Sequence, residues 1–274
     1  MPISNLIKKL SISLIGATVL GLGTSNAAQA TSFFVSTNDG KVGTVDQATG
    51  VFTQIASGPV FTDIALSNSE EIFGVTFSQL YKVNQTTSTS SLIGNLGVSN
   101  MNGLGFTTSN TLYGTGGSRF YSVNTSTGAA SLVSNISGFS SSGDIVYDPV
   151  NNRFLATSAG DSLWSIGLNG IANKIGDIGF GDVYGLAFDD DGTLYGYTAN
   201  RQQIVINPTT GSGTFNQNVT GISSQIFGSA SLPSTGPSTS VPEPASVLGL
   251  FAFGAIGAGS LLKRKQQQQA TVKA

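Results

Sequence analysis

The chain has no cysteine and no histidine in 274 residues. Without cysteine no disulfide can form, so even an exported body must be held by packing alone. No lipid can be attached at a cysteine behind a leader either. Without histidine the usual general base, the usual zinc ligand and any histidine-dependent triad are excluded. Charge is also scarce, at 9 % of residues, and it is unevenly spread. From about Thr31 to Ser240 there are six basic residues against 13 acidic ones, so this body carries −7 while the whole chain carries only −2. An excess of that sign disfavours nucleic acid, whose phosphates need cationic contacts.

What is present is repetition. Asp63-Ile64-Ala65-Leu66, Gly103-Leu104-Gly105-Phe106, Asp144-Ile145-Val146-Tyr147 and Gly185-Leu186-Ala187-Phe188 are variants of one pattern, stepping by 40, 41 and 41 residues. Each is followed by a second apolar run, such as Leu112-Tyr113-Gly114. A third comes next, such as Phe120-Tyr121-Ser122-Val123, and then a polar turn such as Asn124-Thr125-Ser126-Thr127-Gly128. A more polar fourth run closes each unit. Short runs rich in β-branched and aromatic residues, bounded by Gly, Asn, Asp and Thr, read as strands. Four strands in a unit of about 40 residues is the pattern of a β-propeller blade. A β-sandwich would space short strands similarly but does not require near-equal units. A body of about 200 residues can bury roughly 70% of its unfolded surface around such a core.

The ends complete the count. Phe33 to Thr37, Val42 to Val45 and Val51 to Ala56 match strands two, three and four of a unit that lacks its first strand. One more step from Leu186 reaches Phe227, within Gln225 to Ala230. The expectation is an all-β, five-bladed propeller with one blade closed by N- and C-terminal strands, which removes exposed edges. Six blades would require a misread unit.

Lys8 and Lys9 precede an apolar run from Leu10 to about Gly23, and Ala28 and Ala30 then form an A-x-A site. That is the pattern of a signal peptide cut by signal peptidase. At the other end, Pro233 to Ser240 is too polar and proline-rich to pack and reads as a linker. Val241-Pro242-Glu243-Pro244 comes next, then an uncharged run from Ala245 to Leu262, then Lys263-Arg264-Lys265. The run is 18 residues, within the roughly 17–25 needed for a helical membrane span. Basic residues at its end are expected to stay cytoplasmic. Glycines such as Gly254 are tolerated in membrane helices, and Gly254 to Ala258 has a spacing that packs helices in lipid.

This tail resembles the PEP-CTERM sorting tail of exported bacterial proteins, on Pro242-Glu243-Pro244, the apolar run and the basic cluster together. The resemblance covers about the last tenth of the chain. It implies an exosortase that cuts near the motif, insertion through the C-terminal helix before processing, and a final place in the membrane, cell surface or extracellular matrix. The family's association with exopolysaccharide-producing bacteria suggests polysaccharide, or another surface protein, as a partner. Gln266 to Ala274 runs past the basic cluster, where members of that family often stop. The expected organisation is residues 1–30 as signal peptide, 31–233 as propeller, 234–241 as linker, 242–265 as sorting tail and 266–274 as polar extension.

In a propeller the starts of the innermost strands surround one mouth of the central channel. Here those positions are expected to offer Asp63, Asn102, Asp144, Tyr184 and Gln225, with Asp39, Arg119, Asp161 and Arg201 in nearby loops. Asp63 and Asp144 hold the same place in their repeats. Two carboxylates near one channel suit a cation or acid–base work; an Asp before a buried strand also simply bonds nearby amides. Asp189 and Asp191, in Asp189-Asp190-Asp191-Gly192, supply oxygens suited to Ca²⁺, the one cofactor suggested, but lack the ligand spacing of a full calcium loop. Asp and Gly between two strands are also ordinary hairpin residues. Tyr81, Tyr121 and Trp164 recur at one repeat position and are expected to pack between blades. Two functions remain in view: a surface binding module, or a metal-dependent hydrolase or lyase using channel carboxylates.

Overall fold

The computed structural model describes residues 32–232. The expected signal peptide with Ala28 and Ala30, the expected linker, the tail from Val241 to Lys265 and the expected polar extension lie outside these residues. Among the described residues there are 20 strands and no helix long and apolar enough to cross a membrane.

The strands form five separate four-stranded antiparallel sheets. Blade 2 is β4 (Asp63–Leu66), β5 (Ile72–Val75), β6 (Gln79–Asn84) and β7 (Thr89–Asn95). Blade 3 is β8 (Gly103–Phe106), β9 (Leu112–Gly116), β10 (Arg119–Val123) and β11 (Ala130–Asn135). Blade 4 is β12 (Ser141–Asp148), β13 (Arg153–Ser158), β14 (Ser162–Gly167) and β15 (Ala172–Asp177). Blade 5 is β16 (Val183–Phe188), β17 (Leu194–Thr198), β18 (Gln202–Ile206) and β19 (Gly213–Asn218). Blade 1 is composite: β1 (Ser32–Thr37), β2 (Lys41–Asp46) and β3 (Phe52–Ser57) from the N-terminal side, and β20 (Ile226–Ala230) as its inner strand. Phe34 pairs with Ala230 and Ser36 with Gly228, so the two ends of the body close the ring. Each inner strand packs beside the next, β4, β8, β12, β16 and β20 in turn and back to β4. The fold is the five-bladed propeller that the repeat predicts.

The repeat explains the local structure. Asp46, Asn84, Asn124 and Asn207 each accept two backbone N–H groups from residues two and three positions on, fixing the turn before the outer strand. Short Asp and Asn side chains do this readily. Each blade also has a register break between its third and fourth strands, at Gly43, Tyr81, Tyr121, Trp164 and Ile204 or the residue just before. A bulge at the perimeter twists the edge strand and blunts it against pairing with other chains.

The core is five clusters, and each spans two neighbouring blades. Phe61, Ile64 and Val83 of blade 2 and its entry loop meet Val42 and Ala56 of blade 1. Phe73 and Leu80 meet Leu104 and Tyr121 across the next seam. Phe120 meets Phe154 and Ile166, Leu155 and Leu163 meet Leu186 and Ile204, and Tyr195 and Tyr197 meet Phe33 and Val45. The recurrent aromatics sit in or against these seams: Tyr81 against Phe61 at 5.7 Å, Trp164 against Phe139 at 5.6 Å, and Tyr121 buried. Burial of apolar side chains between blades, not within them, therefore supplies the main cohesion.

Candidate functional site

One register position explains the axis. Asp63, Gly103, Asp144, Gly185 and Gly228 each precede the residue whose N–H turns inward from the inner strand. Five side chains would converge there, and there is no room for five. A Cβ on Gly228 would lie 2.7 Å from the Asp63 Cα, one on Gly103 2.7 Å from the Gly143 carbonyl oxygen, and one on Gly185 2.8 Å from Ser229 Oγ. Three glycines leave space, and two aspartates fill it.

Both carboxyls are buried, Asp63 at 0 % exposure and Asp144 at 1 %. Asp63 accepts from the N–H of Ile64 at 2.8 Å and from Leu104 of blade 3 at 2.6 Å. Asp144 accepts from Leu186 of blade 5 at 2.7 Å and from Ser229 of blade 1, through its N–H at 3.2 Å and its hydroxyl at 3.3 Å. The two carboxyls are close enough for each to perturb the other's ionisation. Burial first, then the neighbouring Asp144 charge, raises Asp63 well above its ordinary value. Burial raises Asp144 too, against the pull of the Leu186 and Ser229 donors. The partners of this layer are backbone donors of inner strands.

The axial pair separates two unlike ends of the channel. At the end where the inner strands finish, Leu66, Phe106, Tyr147, Phe188 and Leu232 crowd around a void of about 20 Å³. At the end where they start there is an open depression of about 330 Å³. It is lined by Thr62, Phe77, Asn102, Ser142, Asp182, Tyr184, Ala199, Gln225 and Phe227. Phe77 stands 57 % exposed at the rim. Tyr184 and Phe227 meet edge to face at 6.0 Å. The Tyr184 hydroxyl donates to Asp182 at 2.9 Å. Burial and that carboxylate raise its pKa, so it stays a donor. Asn102 donates to the Ser141 carbonyl at 3.0 Å while its Oδ1 is buried without a protein donor.

The sequence-predicted residues therefore divide. Asn102, Tyr184 and Gln225 line the depression, while Asp63 and Asp144 lie one register position deeper, below its floor. Arg119, at the exposed start of β10, and Arg201, which donates to the Ser223 carbonyl at 2.8 Å, are not among its lining residues. Asp161 stands behind the rim, accepting the Asp182 N–H at 3.1 Å. Asp39 pairs with Lys41. The final repeat step is also longer than the 41 residues extrapolated from Leu186, because Ser229, not Phe227, occupies the inward-turned position. Phe77, Ser142, Asp182 and Phe227 were missed. Phe77 and Asp182 lie in connections, Ser142 near the start of β12, and Phe227 inside the closing strand, whose register the repeat placed two residues early.

Asp189 belongs to another series. Ser67, Thr107, Asp148 and Asp189 occupy one repeat position, and each side chain accepts backbone N–H groups of the following turn. Asp191 likewise accepts from Thr193, at 2.8 Å from N and 2.6 Å from Oγ1. Burial and the neighbouring Asp191 raise Asp189, while Asp189 and the Thr193 donors lower Asp191. Among the described residues no group of three or more carboxylates gathers in a metal-holding cluster.

The family model of the PEP-CTERM protein-sorting motif matches residues 240–265. Two solved structures are similar in fold. One is a Bacteroides thetaiotaomicron protein of unknown function, 13 % identical, with a TM-score of 0.53 over 76 % of this chain and 62 % of that one. This chain thus spans under two thirds of that protein. The other is a chain of a nidogen/laminin complex, 12 % identical, with a TM-score of 0.54 over 74 % of this chain and 98 % of that one. At such identities the likeness is one of fold alone. No curated protein matches in sequence. The chain thus combines a PEP-CTERM protein-sorting motif at residues 240–265 with a five-bladed propeller.

Proposed function

We propose that this PEP-CTERM protein, exported for exosortase sorting, presents its channel mouth as a binding site for extracellular polysaccharide at the bacterial surface. In this reading residues 1–30 are removed as a signal peptide, 234–241 form a stalk, and 242–265 serve membrane insertion and processing. The observation that carries the reading is the placement of the chain ends. β1 begins and β20 finishes at the face opposite the depression, since Phe34 pairs with Ala230 and Leu232 lines the narrow end. A protein tethered through the segment beyond Leu232 therefore turns its mouth away from the tether. Loops at such a mouth are where a rigid scaffold places binding residues.

Binding is favoured over hydrolysis because the two axial carboxylates are below the floor and committed to backbone donors. A general acid or base must reach the substrate proton within hydrogen-bond distance. The test is co-sedimentation of the full-length protein, in detergent, with polysaccharide shed by a bacterium carrying the exosortase system. Retention that is lost in Tyr184→Ala supports the reading. Equal recovery with and without polysaccharide would overturn it.

A further inference from the structure

We infer that the mouth takes one terminal sugar unit, and that this unit is uncharged. The inference rests on the reading above that the mouth binds polysaccharide. Its lining is the reason. Three aromatic rings, two carboxamides and three hydroxyls surround the depression, and no lysine or arginine does. The rings of Phe77, Tyr184 and Phe227 offer electron-rich faces to the C–H face of a pyranose. Asn102 and Gln225 offer donors and acceptors to hydroxyls that both donate and accept. Asn102 adds a specific demand. Its amide orientation is fixed by the Ser141 carbonyl, and its Oδ1 lacks a protein donor. Such an acceptor gains from a hydroxyl, whereas a carboxylate brings it nothing.

Charge sets the second term. Asp182 lines the depression, with Asp161 behind it. A uronate or sulfated sugar would enter beside a carboxylate, with no cation in the lining to offset the repulsion. Size and shape set the third. About 330 Å³ is at the small end of ligand sites, which run from roughly 300 to 1,000 Å³. The axial carboxyl pair closes the channel below, so a glycan cannot thread it and must enter by an end.

The experiment is calorimetric titration of the full-length protein in detergent with three oligosaccharide series: neutral glucans, oligogalacturonates and chitosan oligomers. Neutral oligomers should bind, with affinity nearly the same for a disaccharide as for a hexasaccharide. Oligogalacturonates should bind about tenfold more weakly or not at all, the size of one unfavourable charge contact of order 1.4 kcal/mol. Phe77→Ala should weaken neutral binding about tenfold without unfolding risk, since the ring is largely exposed. Asn102→Ala should weaken it about threefold to tenfold. Val150→Ser, at an exposed turn on the opposite face, should leave it unchanged.

Tighter binding of the acidic or the cationic series, or affinity that climbs with chain length, overturns the inference and leaves polysaccharide binding standing. Neutral binding that Phe77→Ala does not touch also overturns it. Silence across all three series overturns the underlying reading itself.

Discussion

Two seams of the ring hold together by different chemistry. Between blades 3 and 4 the contact is aromatic. Tyr113 stacks on Phe120 at 5.1 Å, and Phe154 meets Tyr113, Phe120 and Tyr147 at 5.4, 5.8 and 5.3 Å. Between blades 5 and 1 a polar network joins the rings of Phe33, Tyr195 and Tyr197. Gln203, at 0 % exposure, donates to the Tyr197 hydroxyl at 2.7 Å and accepts from Asn216 and Gln217 at 2.7 and 2.9 Å. Gln47 of blade 1 donates to Asp189 and Tyr195, and its carbonyl accepts from Gln217. Backbone bonds from Phe52 to Thr220 and from Thr220 to Gly50 add to this seam.

The difference comes from the strands that each seam joins. Blades 3 and 4 are consecutive, so their register is set by a short connection. The last seam brings β1 to β3 against strands more than 120 residues away in the chain. Apolar packing tolerates sliding, while hydrogen bonds with fixed partners do not. The directional contacts are thus placed where the chain itself gives least guidance.

The largest test of this contrast is Phe154→Ala. It empties the middle of the aromatic seam and should cost about 3–5 kcal/mol in denaturant unfolding, as a buried cavity does. Next is Gln203→Leu. It keeps the volume roughly constant but strands the buried Tyr197 hydroxyl, at about 1–3 kcal/mol for a buried group left unpaired, while the exposed Asn216 amide turns to water. The double variant Gln203→Leu with Tyr197→Phe should recover part of that loss. If it instead adds a further loss, the seam is held by packing and the contrast fails.

A third test concerns the axis, where both kinds of seam meet. Asp63 keeps its proton above the ordinary carboxyl value near 3.8. The folded protein then binds more protons than the unfolded chain above that pH, so stability is full below the unfolded value and falls as pH rises through the folded one. Asp63→Asn removes this titrating group while keeping the side-chain shape and should flatten this decline in thermal melts taken from acid to alkaline pH. An unchanged slope would mean the pair carries no proton. The smallest effect is expected from Glu71→Gln, which removes an exposed ion pair with Lys82 and should shift stability by about 0–1 kcal/mol.

The blades were legible because a strand buried against neighbours on both faces must repeat its apolar pattern, and the pattern recurred every 40 or 41 residues. The closing strand was legible only to within two residues, because nine residues separate β19 from Gly228, against five to eight before the equivalent positions Asp63, Gly103, Asp144 and Gly185. Asp63 and Asp144 were recognisable as equivalent, but not their depth. Their role is set by Gly103, Gly185 and Gly228, whose missing side chains make the space, and by amide donors that no side-chain pattern reveals. The mouth residue Phe77 lies in the connection between β5 and β6, where the repeat imposes nothing, whereas Phe227 lies inside the closing run, where its apolar side chain reads as core.

The central claim is that the ring closes on its axial carboxyl pair, leaving a blind mouth above it. Native-state hydrogen exchange of the Leu104, Leu186 and Ser229 amides tests this most directly, since each donates to a carboxylate at the axis. These amides should exchange as slowly as those of the strand ladders, and Asp144→Ala should speed Leu186 and Ser229 selectively. Rapid exchange at all three in the unmodified protein would show a solvent-filled axis and contradict the account.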